Sequence, residues 1–568
     1  QRADYRISAE LDESAQVLHG KATLTYVNHS PDTLREMRVQ QLLNAFRPGS
    51  RWSAADEREG RVRFQKLKEP NYGYERFTSA PKVNGEAVSV TYPFAPDSTI
   101  ARFELPRALA PGDSAIVEYA WDARPSATIY RRQGRKGRHY DFSQWYPKVA
   151  VYDRGGWEAQ PFIPNGEMYG EFGSFDVTLN LAADQVVGAT GVPVAGDPGW
   201  ETAKDWGEVH YARDAYGAVD ATLPSVANGR KAVRFYARDV HHFGWSVDPA
   251  FKYEGALYRG TIPIHVLIPP SQIARLGNGV FVKWNEHALE FLEKIYGPYG
   301  YPQLTGLVRL DPGATEFPMM AMYGESFSEG TVSHEVGHIY SYGMLANNEW
   351  REGWMDEGLT SYQSEWRIRE TPQDVAEGAP EQGPPPATGY RAHAHVMPPD
   401  DRSRMQLYDV DLLGRAEAPE SPTHTFNEFN LYQMGVYSRP DLMYGMLRDM
   451  LGDSAFTAFL HDYYARWQFK HVDELAMRAS AERVSGKDLG WFFEQWVHHT
   501  GLVDYELASV ETKQDGSGWI TRARIVKRGE YRHAMPVGVR TSESGEWIIA
   551  RGDPMRDDQW VEIRTAER

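Results

Sequence analysis

His334-Glu335-Val336-Gly337-His338 sets two imidazoles four residues apart with a carboxylate between them, and Glu357 follows after eighteen intervening residues. On a helix, positions i and i+4 sit one above the other on the same face, so both rings project together. Two neutral imidazoles and one carboxylate make a good three-ligand set for zinc. The fourth position stays open for water, which marks a catalytic rather than a structural site. Glu335 falls beside that water, where a general base is needed. The pattern points to metal-assisted hydrolysis. The competing reading is a chance match, because only three positions of the short motif are fixed; a third ligand on a second predicted helix weighs against it.

Those side chains need elements to hold them. The spacing predicts a helix from about Ser328 to Tyr342, with Gly343 as its C-cap. Val332 and Val336 lie roughly 120–160° around it from the histidines and can pack inward while the imidazoles face a cleft. A second helix, beginning near Trp354, carries Glu357 in its first turn, and eighteen residues suffice for it to return antiparallel. Upstream, Ile264–Ile268 reads as a buried strand ended by Pro269-Pro270. A helix from about Ile273 to Ile295 follows, with Val280, Trp284, Ala288, Phe291, Leu292 and Ile295 at helical spacing. Gly297 and Pro298 stop it, and Thr305–Leu310 is strand-like. From Thr331 to about His499 the chain reads as mainly helical. Residues 372–425, with Gly383-Pro384-Pro385-Pro386 and Pro398-Pro399, read as a loop insertion that is functional or mobile and could overhang the active site.

Residues 1–248 alternate apolar and polar, as in Tyr5–Leu11 and Ala22–Val27, between turn clusters such as Asn84-Gly85 and Pro111-Gly112-Asp113. They predict an antiparallel β saddle or sandwich. Residues 249–500 hold the mainly helical metal-binding domain, and 501–568 return to alternation as a small β-sandwich-like domain. The expected fold is therefore multidomain α+β. A length of 568 residues is too great for one core. A net charge of −17 argues against nucleic acid or anionic membrane as a partner. No apolar stretch is long enough to span a bilayer. With no cysteine in the chain, disulfides and thiolate ligands are excluded. So long a chain without cysteine fits export to an oxidising compartment. The sequence opens at Gln1 without an initiator Met or a leader, which fits either a cleaved signal peptide or a shortened chain. Periplasmic or secreted location is the expectation.

The metal motif, with Glu357 at this spacing, resembles that of the gluzincin zinc aminopeptidases, the family of aminopeptidase N and leukotriene hydrolase. Their second signature, Gly-x-Met-Glu-Asn, is matched here by Gly313-Ala314-Thr315-Glu316-Phe317, with Thr315 for Met and Phe317 for Asn. Phe317-Pro318 resembles a bacterial branch that reads Met-Glu-Tyr-Pro. Tyr342-Gly343-Met344, Asn348-Glu349, Trp354–Gly358, Gln144–Asp153 and Gly166-Glu167-Met168-Tyr169 are similar to the same branch. The family's Tyr-x-Lys-Gly becomes Tyr432-Gln433-Met434-Gly435, with Met434 in place of Lys. Leu451-Gly452-Asp453 and Asp488–Trp496 extend the resemblance, which covers about residues 5–500.

The resemblance implies a thermolysin-like catalytic domain and one zinc ion per chain, held by His334, His338 and Glu357. It implies that Glu335 is the general base and that Tyr432 donates a hydrogen bond to the oxyanion of the tetrahedral intermediate. It makes Glu316 the anchor for a peptide's free α-ammonium, with Gly313 and Ala314 in the same substrate-binding stretch. The implied substrates are peptides with a free N-terminus, and oligomeric state stays open. A small C-terminal domain without further helices would leave the cleft more open, or closed by the 372–425 insertion or by a second subunit. For Glu316 the alternative role is a structural carboxylate near a turn, and for Tyr432 a core aromatic. Three rival functions remain: a zinc endopeptidase, a non-catalytic scaffold with a relict site, and a lipid epoxide hydrolase. His393 and His395 suggest a solvated loop before a second metal site. His241-His242 and His498-His499 read as surface or packing residues. Arg131–Arg138 reads as a solvated basic loop, with a site for a substrate's C-terminal carboxylate as the lesser alternative.

Overall fold

The structure, a computed structural model, describes residues 1–166, 169–370, 401–426, 428–542 and 545–568, with the side chains of 401–406 left aside. Its first part is rich in sheet, as the alternation predicts. In Arg2–Asp12, Tyr5, Ile7, Ala9 and Leu11 are buried while Arg6, Ser8 and Glu10 face out. This period-2 pattern lets one face pack and the other stay wet. That strand pairs antiparallel with Val17–Val27 and parallel with Gly173–Ala182 inside a nine-stranded sheet. The other pairs of that sheet are antiparallel. Two short helices, Arg51–Arg58 and Trp200–Ala203, interrupt the β region; Ser50 caps the first by accepting from the Ser53 N–H.

A six-stranded sheet carries the candidate site. Its order is Lys204–Gly207, Lys252–Tyr258, Ile262–Ile268, Leu304–Val308, Met320–Tyr323 and Thr315–Phe317. Ile262–Ile268 is buried almost throughout, between an antiparallel and a parallel neighbour, which explains its unbroken apolar run. Thr315–Phe317 is the edge strand, antiparallel to Met320–Tyr323.

The helix expected from Ile273 to Ile295 is two helices, Ile273–Leu276 and Val280–Ile295. Asn278 and Gly279, both at positive φ, break the path, and their N–H groups donate to the Glu254 carboxylate. Trp284, Ala288, Phe291, Leu292 and Ile295 are buried as the spacing predicts, whereas Val280 is half-buried.

The described residues pack as two compact units. One holds Gln1–Trp350 with the described parts of 363–382 and Tyr464–Val472. The other holds Arg351–Tyr362, the described parts of 383–463 and Asp473–Arg568. The second unit contains the helices Arg439–Leu451, Glu474–Ser485 and Gly490–Val497. It also contains a three-stranded sheet, with Gly518–Lys527 between Tyr505–Asp515 and Asp558–Thr565, and a separate hairpin of Pro536–Val539 with Ile548–Arg551.

The loop reading of 372–425 needs correction over its second half. Asp401–Leu412 is a helix. Val410 packs against a cluster of Phe426, Leu431, Tyr432 and Val436, and Asp411 pairs with the buried Arg439 guanidinium. Burial of Val410 and a desolvated ion pair hold this part of the insertion to the tyrosine segment beneath it. An overhang by residues 371–400, like the role of His393 and His395, lies outside the described residues. No helix among the described residues is long and apolar enough to cross a membrane.

Candidate metal centre

The motif helix runs from Glu329 to His338. Ser328 and Thr331 cap it reciprocally, each side chain accepting from the other's backbone N–H. Val332 and Val336 are fully buried, as their position opposite the histidines predicts. The helix does not stop at Gly343. It continues as a π-turn over Ile339–Met344, so Gly343 lies inside the turn and is not its C-cap. Tyr342 explains the hold on this turn. Its carbonyl lies 3.2 Å from His241 Nε2 and its hydroxyl 3.0 Å from His242 Nε2, whose Nδ1 faces Lys148 Nζ at 3.0 Å. His241 and His242 are both buried, so they are packing residues and not surface ones.

The other end of the motif helix is pinned by charge. Glu329, nearly buried, accepts from His287 Nδ1 at 2.9 Å and from Arg367. Burial alone would raise the Glu329 pKa. The His287 hydrogen bond and the Arg367 charge outweigh it, and the net shift is downward.

His334 and His338 converge. Their Nε2 atoms are 3.0 Å apart and their rings meet edge to face with centroids at 4.5 Å. Two nitrogens bound about 2.05 Å from one tetrahedral zinc stand about 3.3 Å apart, so the pair is already near ligating geometry. His338 is 1% exposed and His334 half-buried. Glu357, the third donor that the spacing points to, belongs to the second compact unit. Two imidazoles and a carboxylate, with no sulfur, are a donor set that fits zinc. Glu335, one residue on from His334, is buried, and its charge adds to the burial that raises the pKa of the buried Tyr323 hydroxyl.

Glu357 sits in a π-turn, Trp354–Gly358, between Glu349–Gly353 and Leu359–Glu370. The second helix thus starts before Trp354, is kinked at Glu352, and carries Glu357 beyond its first turn. A third π-turn, Met434–Ser438, follows the short helix Phe429–Gln433 that bears Tyr432. The last two turns pack closely. A Cβ on Gly358 would lie 2.2 Å from Pro440 Cβ, and one on Gly353 would lie 3.0 Å from Val436. π-Turns are rare and recur at functional sites; here one abuts His338, one contains Glu357 and one begins two residues after Tyr432. Tyr432 is buried, with Phe426 and Tyr437 edge-on to its ring.

Sequence reasoning missed Tyr437. Its hydroxyl donates to Glu357 Oε1. Its signal is hidden because five residues on an α-helix amount to about 140° of rotation, which turns it away from Tyr432. The π-turn removes that divergence.

Glu316 lies on the edge strand, 7% exposed, and one of its carboxylate oxygens is within 4.8 Å of a ligating nitrogen of His338. Gly313 is exposed and Ala314 half-buried. Thr315 has a physical reason to replace methionine: its Oγ accepts from Arg309 at 2.8 Å and from Arg132 Nε at 3.1 Å. Arg309 also donates to the Gly313 carbonyl and to Asp311, and Asp311 accepts the Arg132 backbone N–H. Arg132 and Arg135 are therefore buried fasteners, which corrects the solvated-loop reading for them. Lys136 and Arg138 match it in part, both exposed, with Arg138 paired to Glu13 and Asp184. His498 bridges Glu420 and Glu474, and exposed His499 pairs with Glu494.

Comparison with known proteins shows what the chain is similar to. Residues 318–496 match the Peptidase family M1 domain. This stretch is similar to an M1 peptidase domain. The matched stretch spans His334, Glu335, His338, Glu357, Tyr432 and Tyr437, while Gly313–Glu316 lie just ahead of it. Among curated relatives, leucine aminopeptidase 2 of Sclerotinia sclerotiorum is 24% identical over 42% of this chain and 43% of its own length. A leukotriene A-4 hydrolase homolog of Botryotinia fuckeliana is 24% identical over 38% of this chain and 34% of its own. Aminopeptidase N of Lactococcus lactis is 23% identical over 32% and 20%. The aligned part is thus less than half of each relative. In fold, the M1 zinc metallopeptidase of Deinococcus radiodurans superposes with a TM-score of 0.58 at 16% identity, covering 89% of this chain and 94% of that one. Legionella pneumophila aminopeptidase A superposes with a TM-score of 0.61 at 13% identity, covering 99% of this chain and 57% of that one. The resemblance to the gluzincin aminopeptidases and the expected α+β architecture are both borne out.

Proposed function

We propose that the chain is a zinc-dependent aminopeptidase, with one zinc per chain held by His334, His338 and Glu357. The observation that carries this reading is the convergence of the His334 and His338 nitrogens in a stretch that matches the M1 peptidase domain and also holds Glu357. Bound there, zinc would supply Lewis-acid polarisation of the scissile carbonyl and acidify the attacking water. Glu335 takes the proton from that water and passes it to the leaving amine, from a buried position beside His334. Tyr432 donates a hydrogen bond to the developing oxyanion. Glu316 pairs with the substrate's α-ammonium, which an internal peptide bond lacks. Its support is its burial at the sheet edge near His338 and the rigid Arg132–Arg309–Thr315 fastening beside it. Gly313 and Ala314 lead the chain into that strand and would line the same substrate stretch.

Support for a peptide substrate comes from a mutant of the Deinococcus radiodurans metallopeptidase bound to Tyr-Ser-Ala. We extend to this chain a three-part division at 1–248, 249–500 and 501–568, and export from the cytoplasm, which the lack of cysteine favours. The deciding experiment compares a peptide with its N-acetylated form, beside a panel of aminoacyl chromogenic substrates. Cleavage confined to free amines, weakened by Glu316→Ala, is the expected result. Equal cleavage of both forms would leave an endopeptidase instead.

A further inference from the structure

We propose that Tyr437 is a positioning residue for the metal site: its hydroxyl fixes the Glu357 carboxylate in the orientation that ligates zinc. The inference rests on the reading of Glu357 as a zinc ligand.

The geometry that carries it is local. Tyr437 donates to Glu357 Oε1 across two π-turns that pack on each other, Trp354–Gly358 and Met434–Ser438. A carboxylate offers about four lone-pair sites, so accepting from Tyr437 at Oε1 leaves Glu357 able to ligate a metal. The contact also sets the rotamer. Glu has three side-chain torsions, and each must be frozen before a carboxylate can serve as a fixed ligand. Tyr437 pays little entropy to do so, because it has two torsions and its ring is already held against Tyr432 with centroids 5.8 Å apart.

The turn type is what makes the two tyrosines partners. Tyr432 and Tyr437 are five residues apart. Tyr432 lies in the helix Phe429–Gln433, and the wider π-turn that follows, Met434–Ser438, sets Tyr437 beside it, where a continued α-helix would splay the two. One short segment then carries two tyrosines with separate tasks: Tyr432 in its proposed role at the oxyanion, Tyr437 on the ligand. A hydrogen bond to a carboxylate withdraws some of its charge, which by itself weakens metal binding. Orientation outweighs this at comparable sites, where removal of such an outer partner typically costs about 10–100-fold in metal affinity or activity.

The test measures zinc affinity by competition with a chromogenic chelator, for wild type, Tyr437→Phe, Tyr432→Phe and Glu357→Ala. Apo-protein melting temperatures are recorded for each to confirm folding. The expected outcome is a zinc Kd raised about 10–100-fold in Tyr437→Phe with an unchanged apo melting temperature. Tyr432→Phe should keep the wild-type Kd. Glu357→Ala should weaken zinc far more than either. If Glu357→Ala binds zinc as wild type does, the ligand assignment itself fails. If Glu357→Ala weakens binding and Tyr437→Phe does not, the ligand stands and the role of Tyr437 is overturned. An equal loss in both tyrosine variants would also overturn it, since it would mean general loosening of the segment.

Discussion

Glu335 and Tyr432 carry separable parts of the barrier. Glu335→Gln keeps the size and hydrogen-bonding capacity of the side chain and removes its ability to accept a proton. Steady-state kinetics should show kcat lower by at least about 10²–10⁴-fold, the usual worth of a general base, with zinc still bound. Tyr432→Phe should lower kcat by about 10²–10³-fold with little change in KM, because an oxyanion donor acts in the transition state alone. A full-rate Glu335→Gln enzyme would sink the mechanism. Glu316→Ala belongs to a different class. It should raise KM for free-amine substrates, while acylated peptides stay uncleaved as with the wild type. At this scale the sequence was legible where residue type and spacing follow α-helical geometry, as at His334, Glu335 and His338. Tyr437 was not legible, because its partner Glu357 is eighty residues away in the chain and its own turn is not α-helical.

The elements that hold these residues were read less completely. The motif helix, its inward valines and the buried strand Ile262–Ile268 follow from periodicity, which samples local burial well. The three π-turns do not, since a one-residue change in turn size leaves the apolar pattern almost intact. The break at Asn278-Gly279 was marked only by a glycine inside a helical pattern, a signal that many continuous helices share. Two variants test the elements. Gly358→Ala forces a methyl into Pro440, and a thermal melt should show a loss of about 1–3 kcal/mol with weakened zinc binding. Thr315→Val deprives two buried guanidiniums of their shared acceptor. It should cost about 1–3 kcal/mol in chemical denaturation and raise KM as the Glu316 strand loosens.

Whole-molecule stability should depend on pH from both ends. His139 is held between Asp141 and Asp248, at 2.8 and 2.9 Å. Burial disfavours its charge, but Asp141 and then Asp248 outweigh burial and push its pKa up to about 9. A raised histidine stabilises the fold below its ordinary value of 6.5, and that contribution fades as pH rises through about 9. Glu329 works in the opposite direction. Its lowered pKa contributes stability above the ordinary 4.5, lost as pH falls through the depressed value. Urea denaturation across pH should show His139→Gln flattening the alkaline limb and Glu329→Gln flattening the acid one. A metal chelator should lower the melting temperature of the zinc form, since an ion bound to the folded state alone stabilises it by mass action.

The sequence by itself determined the chemistry: a metal-ligand set, a base beside it, and the alternation and periodicity that make a sheet-rich first part and a helical part after it. Those are short-range signals, written in residue type and spacing within one or two turns. The tertiary structure alone decided which distant residues serve that chemistry. It brought Arg132 and Arg309 onto Thr315, fastened Glu329 between His287 and Arg367, and set Tyr437 on Glu357. No periodicity encodes such pairs, because each joins separate stretches of chain through side-chain hydrogen bonds whose partners are chosen by packing.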